Sequence, residues 1–224
     1  VELKATGQID VAIAPPFTAL YSLGVAFTDT EFDLAAQNIF WEDSGAYTAE
    51  ISGVFLKEVG CKYAIVGHSE RRQYFGETDE TVNKRAHAAL KHDLIPILCV
   101  GETLEHREAG KTWNVIESQL EGGLKGIDLS STTDFVIAYE PVWAIGTGKT
   151  ASTAQAEEVH GLIRNYLNEA SGKEIADRTR ILYGGSVKPS NSRELLVQPN
   201  IDGALVGGAA LDVVQFADII RNAH

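Results

Sequence analysis

Ile95-Pro-Ile-Leu-Cys-Val100 decides the fold class, because no charged or hydrogen-bonding side chain interrupts it. A strand with one wet face alternates apolar and polar positions, whereas a strand apolar at successive positions is buried on both faces. Such strands belong to parallel sheets covered by helices. Further β-rich runs fall at Val11–Ala14, Leu34–Gln37, Tyr63–Val66, Phe135–Tyr139, Arg180–Tyr183 and Ala204–Val206. Amphipathic stretches separate them, among them Thr78–His92, Ala154–Ser171 and Val213–Arg221. In Ala154–Ser171 the residues Val159, Leu162, Ile163, Tyr166 and Leu167 recur at three and four, which lines one face of a helix. The alternation implies an α/β chain, either a doubly wound open sheet or a closed (β/α)8 barrel. A barrel typically needs about 250 residues, about 31 per unit, so 224 residues with seven strands is about one unit short. No low-complexity linker divides the chain, and one domain over 1–224 is expected.

Composition removes several function classes. A net charge of −12 leaves no basic stripe for nucleic acid, so no nucleic-acid partner is expected. An anionic substrate would have to be held by local backbone dipoles rather than by global charge. Cys61 and Cys99 lie on separate apolar runs without CxxC spacing, as buried thiols of a reducing compartment do, and the expected location is cytoplasmic. No apolar run approaches the roughly 18 residues of a membrane span, and no signal-peptide pattern opens the sequence. His68-x-Glu70 lacks a PCxxC partner and His87 and His92 lie five apart on a polar helix, so no metal site is expected. Gly148-Lys149-Thr150 mimics the tail of a P-loop, but Trp143 stands where its first glycine belongs.

Catalytic side chains of parallel barrels sit beyond the C-terminal ends of the strands. Phe135–Tyr139 runs into Glu140-Pro-Val-Trp-Ala-Ile-Gly-Thr-Gly-Lys149. Pro141 has a fixed φ and pushes Glu140 toward extended geometry, while Gly146 and Gly148 permit angles that other residues resist. A base beside a closing lid would be built this way; an isolated Glu-Pro would more simply be a solvated turn. Tyr63–Val66 runs into Gly67-His-Ser-Glu-Arg-Arg72. Ser69 is the expected N-cap of the next helix, with Glu70 in its first turn and the His68 ring aimed at the helix start. Two glycine doublets, Gly184-Gly185-Ser186 and Gly207-Gly208, follow the last two strands and precede helical stretches, where backbone N–H groups can converge on an anion. The usual phosphate site of barrels lies in those two loops.

From Ile9 onward these blocks resemble the triosephosphate isomerase family. The matching stretches are Ala14-Pro-Pro-Phe-Thr18, Gln37-Asn38, Gly45-Ala-Tyr-Thr-Ala-Glu50, Val66-Gly-His-Ser-Glu-Arg-Arg72, Leu98-Cys-Val-Gly-Glu102, Tyr139 to Lys149, Tyr183-Gly-Gly-Ser-Val187 and Leu205-Val-Gly-Gly208. The resemblance implies a TIM barrel that interconverts dihydroxyacetone phosphate and glyceraldehyde 3-phosphate without a cofactor. It implies Glu140 as the base and His68 as an imidazole that stays neutral, the behaviour known for that enzyme. Ser69 and Glu70 would support that pair. Pro141, Val142, Trp143, Ala144, Ile145, Gly146 and Thr147 would form the lid. Gly146, Ser186, Gly207 and Gly208 would grip phosphate. The loop Phe40–Ile51 would insert into a second subunit, with Thr48 near that subunit's site, making a homodimer.

The family's opening Asn-Trp-Lys strand has no match before Ile9, and Val1–Gln8 resembles the tail of a first helix. The reading therefore expects the first β/α unit to be largely absent, and with it an active-site lysine. A non-catalytic phosphate-binding or structural barrel is the alternative this leaves. Another sugar-phosphate barrel enzyme would share the glycine doublets but has no need of both Gly67-His-Ser-Glu70 and Glu140-Pro141.

Overall fold

A computed structural model describes residues 9–132, 134–145 and 150–223. The chain forms two compact units, one gathering Asp10–Cys99 with Glu121–Phe135, the other Val100–Leu120 with the chain from Val136.

The first unit is built on β1 (Val11–Ile13), β2 (Phe32–Ala36), β3 (Cys61–Val66) and β4 (Ile95–Val100) as far as Cys99, parallel neighbours in chain order. Parallel neighbours need long crossovers, and α1 (Phe17–Phe27), α2 (Gly53–Glu58), α3 (Ser69–Phe75) and α4 (Asp79–Lys91) supply them. Val66, the last residue of β3, stands opposite Leu98, two residues before the end of β4. α4 starts where Thr78 and Thr81 cap each other reciprocally, the Thr78 N–H donating to Thr81 Oγ1 at 3.0 Å. Asp79 and Glu80 in its first turn add charge that suits the helix start. Leu34, Ala36, Leu56, Ala64, Val66, Val82, Ala86 and Leu98 are fully or almost fully buried, as the two-faced apolar strands require.

The second unit holds α5 (Leu104–Glu108), the first nine residues of α6 (Thr112–Gly123), and the parallel strands β5 (Val136–Tyr139), β6 (Arg180–Tyr183) and β7 (Gly203–Ala204). α7 (Thr153–Ser171), α8 (Lys173–Arg178), α9 (Pro189–Leu196) and α10 (Val213–Arg221) complete it. The buried stripe of α7 is Ala156, Val159, His160, Ile163 and Leu167, whereas Leu162 and Tyr166 only flank it. Arg164 on α7 donates to the Ala176 and Thr179 carbonyls and pairs with Asp202, whose carboxylate accepts from the Ile181 N–H at 2.7 Å. This ties α7 to the start of β6. β7 ends at Ala204 rather than running to Val206 because its ladder partner stops at Tyr183, opposite Ala204. One further bond, Leu205 N–H to the Tyr183 carbonyl at 2.9 Å, completes the pairing before Gly207 turns the chain.

Candidate active site

In the first unit His68 follows β3 at the start of α3. Gly67 precedes it with φ +72°, and a Cβ there would stand 2.8 Å from Val82 Cγ1. The chain can make this turn against α4 only as glycine. The N-cap of α3 is His68, not Ser69 as the sequence suggested. Its Nδ1 accepts from the Glu70 N–H at 3.3 Å, so the side chain takes the orphan donor that a serine hydroxyl would have taken. Ser69 becomes the first helical residue and is buried. The same Nδ1 lies 3.8 Å from Glu70 Oε2. The expectation that the ring meets the helix start is met by this geometry. Arg72 holds the turn from behind. Its Nε donates to the Gly67 carbonyl at 2.9 Å, and its Nη1 to Asp79 at 2.6 Å. The sequence reading gave Arg72 no role, because the bond to Gly67 appears only when the helix folds back on its own entry.

In the second unit Glu140 follows β5 and is only 2% exposed. Its N–H donates to the Val100 carbonyl at 2.8 Å. Two glycines crowd it. A Cβ on Gly101 would overlap the Glu140 carbonyl oxygen, and one on Gly184 would stand 2.9 Å from Glu140 Cγ. A Cβ on Gly185 would overlap the Tyr183 hydroxyl. Packing also requires the doublet read from sequence as an anion cradle: Gly184 makes room for Glu140 and Gly185 for Tyr183. Asn191 at the start of α9 donates to the Ser186 carbonyl at 3.0 Å and accepts from the Lys188 N–H at 2.7 Å, which fixes the loop after the doublet. Gly207 and Gly208 lie at the start of a 3-10 turn, Gly208–Leu211.

Pro141 has φ −65°, and Val142–Ala144 forms a single 3-10 turn closed by the Ala144 N–H on the Pro141 carbonyl at 2.7 Å. Gly146 and Thr147 lie outside the described residues, as do Gly148, Lys149 and Val1–Gln8. Beneath the turn lies Glu102, fully buried, whose Oε1 accepts from Trp143 Nε1 (2.9 Å), the Tyr139 hydroxyl (3.1 Å) and Arg107 Nη1 (3.2 Å). The Arg107 guanidinium also lies 5.1 Å from the Trp143 ring centroid. Burial and the Glu102 carboxylate push the Tyr139 hydroxyl far above its ordinary range, so it stays a donor. The sequence reading gave Glu102 no role, although it closes the matching stretch Leu98-Cys-Val-Gly-Glu102.

His160 packs against Tyr139 and Tyr183, 5.8 and 6.2 Å between ring centroids, and its Nδ1 meets the Asn200 carbonyl at 3.1 Å. Burial lowers it from 6.5 to about 4, against the opposing pull of that carbonyl. The unfolded imidazole therefore takes its proton first as pH falls. The stability held by neutral His160 is whole above about 6.5, declines through the interval, and is gone below about 4. The full loss is on the order of 3 kcal/mol. Urea titrations across that interval should show a steeper fall for the native chain than for His160→Gln; equal slopes would refute it.

The loop 40–51 in the first unit closes on itself through the Phe40 N–H and the Ile51 carbonyl at 2.8 Å. Phe40 packs on Trp41 and Tyr47 with centroids 4.2 and 4.8 Å apart, and the Arg85 guanidinium lies 5.0 Å from the Trp41 centroid. Asp43 anchors the tip to Lys91 (2.6 Å) and His92 (2.7 Å) at the end of α4. Thr48 is exposed.

The family model described as triosephosphate isomerase matches residues 1–223. The chain belongs to the triosephosphate isomerase family. A triosephosphate isomerase of Moorella thermoacetica is 56% identical over 98% of this chain and 88% of its own length. One of Citrifermentans bemidjiense is 55% identical over 98% and 87%, and one of Dictyoglomus turgidum 52% over 98% and 88%. The α/β class expected from the sequence is that of the triosephosphate isomerase family, an enzyme family with the TIM-barrel fold. Among the described residues no helix is long and apolar enough to cross a membrane. No group of three or more His, Cys, Asp or Glu among them is placed to hold a metal ion.

Proposed function

We propose that this chain interconverts dihydroxyacetone phosphate and D-glyceraldehyde 3-phosphate through an enediolate, without a cofactor. The observation that carries the reading is Glu140, a carboxylate at a strand end that is 2% exposed and closed in by two glycines. Proton abstraction beside a carbonyl needs a base, an oxyanion stabiliser and shelter from water. Glu140 takes the proton from the carbon beside the carbonyl. The electron pair moves to the carbonyl oxygen, which the neutral His68 meets with its Nε2–H. His68 moves the proton of the neighbouring hydroxyl to the former carbonyl oxygen, and return of the proton from Glu140 to the neighbouring carbon completes the isomerisation. Ser69 and Glu70 support His68 from the first turn of α3. Pro141 to Thr147 forms the lid, and Gly146, Ser186, Gly207 and Gly208 bind the phosphate, whose binding energy closes the lid. Relatedness to triosephosphate isomerases at 50–56% identity supports the substrate. Purified chain given dihydroxyacetone phosphate should form glyceraldehyde 3-phosphate, read by coupled oxidation of the aldehyde; no product at high enzyme concentration would refute the proposal.

The same reading gives a single barrel domain over 1–224, a cytoplasmic location and a homodimer joined through the loop 40–51. The aromatic packing and the Asp43 anchor support the dimer, since a loop ordered before association loses less entropy on binding. Thr48→Arg places a charge on the exposed face of that loop. It should shift the sedimenting species from dimer to monomer at micromolar concentration, and an unchanged dimer would remove the loop from the interface.

A further inference from the structure

We infer that Gln119 is a positioning residue for Glu140, acting through Gly101. This rests on the reading of Glu140 as the base. Gln119 lies on α6 between the buried Ile116 and Leu120. Its side-chain carbonyl accepts from the Gly101 N–H at 2.7 Å, and its amide donates to the Gly101 carbonyl at 3.2 Å. One side chain thus pairs with both backbone polar groups of Gly101, as a neighbouring strand would.

Gly101 is also where the Glu140 backbone rests. A Cβ on it would overlap the Glu140 carbonyl oxygen and stand 3.2 Å from Glu140 Cβ. The residues on either side make the hydrogen bonds: Val100 accepts from the Glu140 N–H at 2.8 Å, and Glu102 accepts from the Val142 N–H at 3.1 Å. Residues 100–102 therefore form the backing along which 140–142 is laid. Gln119 fixes the middle of that backing, where contact with Glu140 is closest. A shift of Gly101 is passed directly to the carboxylate, and a misplacement of about 1 Å can cost about 10²-fold in rate.

Gln119→Met has similar length and can pair with neither group of Gly101. It should lower kcat about tenfold or more while KM stays within about twofold, with an unchanged circular dichroism spectrum. In a Glu140→Gln background the same substitution should cost less than about twofold, because the placement of a group that is no longer basic does not matter. An unchanged kcat, or an equal loss in both backgrounds, overturns the inference. Should Gln119→Met fail to fold, Gln119→Asn, one methylene too short to span both groups, carries the same comparison. A Glu140→Gln enzyme with native kcat would instead sink the base assignment, and the inference with it.

Discussion

Glu140→Asp is expected to lower kcat by about 10²–10³ with KM nearly unchanged. The substitution keeps the charge and withdraws it by one methylene. The backbone cannot advance to compensate. Its N–H is held by Val100, Gly101 backs its carbonyl, and Gly184 abuts its Cγ. The carboxylate would then stand short of the reacting carbon, and proton transfer falls steeply outside near-attack distance. The cost in stability is that of one buried methylene, about 1 kcal/mol. Initial-rate kinetics in both directions, with urea unfolding as the control, separate the two effects. Native turnover in a folded Glu140→Asp enzyme would remove Glu140 from its role.

The parts of the fold written in local pattern were legible. Ile95–Val100 is β4 to the residue, and Val213–Arg221 is α10. The first is a short uninterrupted apolar run and the second an amphipathic repeat, and both signals are local. The end of β7 was not legible, because a strand stops where its partner stops, and Tyr183 lies far away in sequence. Of the stripe read on α7, Val159, Ile163 and Leu167 are buried, Leu162 and Tyr166 only flank it, and Ala156 and His160 were left out. His160 is a core residue packed on the rings of Tyr139 and Tyr183.

The site divides in the same way. His68 at a helix start followed from spacing alone, but the choice between His68 and Ser69 as cap depended on a side-chain rotamer that sequence does not encode. The glycine doublet was found, but the packing that also requires it was not. Gly184 and Gly185 answer to Glu140 Cγ and the Tyr183 hydroxyl, contacts set by the β5–β6 register. Gln119 left no signal at all, since a glutamine on an amphipathic helix ordinarily faces water.

Glu102→Ala should destabilise the chain by about 3–5 kcal/mol, the largest stability loss expected of a single substitution near the site. Glu102 is fully buried and takes three donors on one oxygen, from Tyr139, Trp143 and Arg107. Truncation leaves a guanidinium that is only 19% exposed without its carboxylate, together with two ring donors. An unpaired buried charge costs far more than the pair contributed, which puts Arg107 first among the three losses. Tyr139→Phe and Trp143→Phe each remove one neutral donor and should cost only about 1 kcal/mol. The ordering therefore discriminates a charge-centred cluster from three equal hydrogen bonds. Urea midpoints for the three variants measure it directly, and a Glu102→Ala chain within about 1 kcal/mol of native would refute the assignment. The same carboxylate joins Tyr139, the residue before Glu140, to Trp143 in the turn after it. Its loss should lower kcat as well as stability, because both flanks of the candidate base are released together. A Glu102→Ala enzyme that is destabilised but turns over at the native rate below its unfolding range would show that Glu102 is not needed to place Glu140.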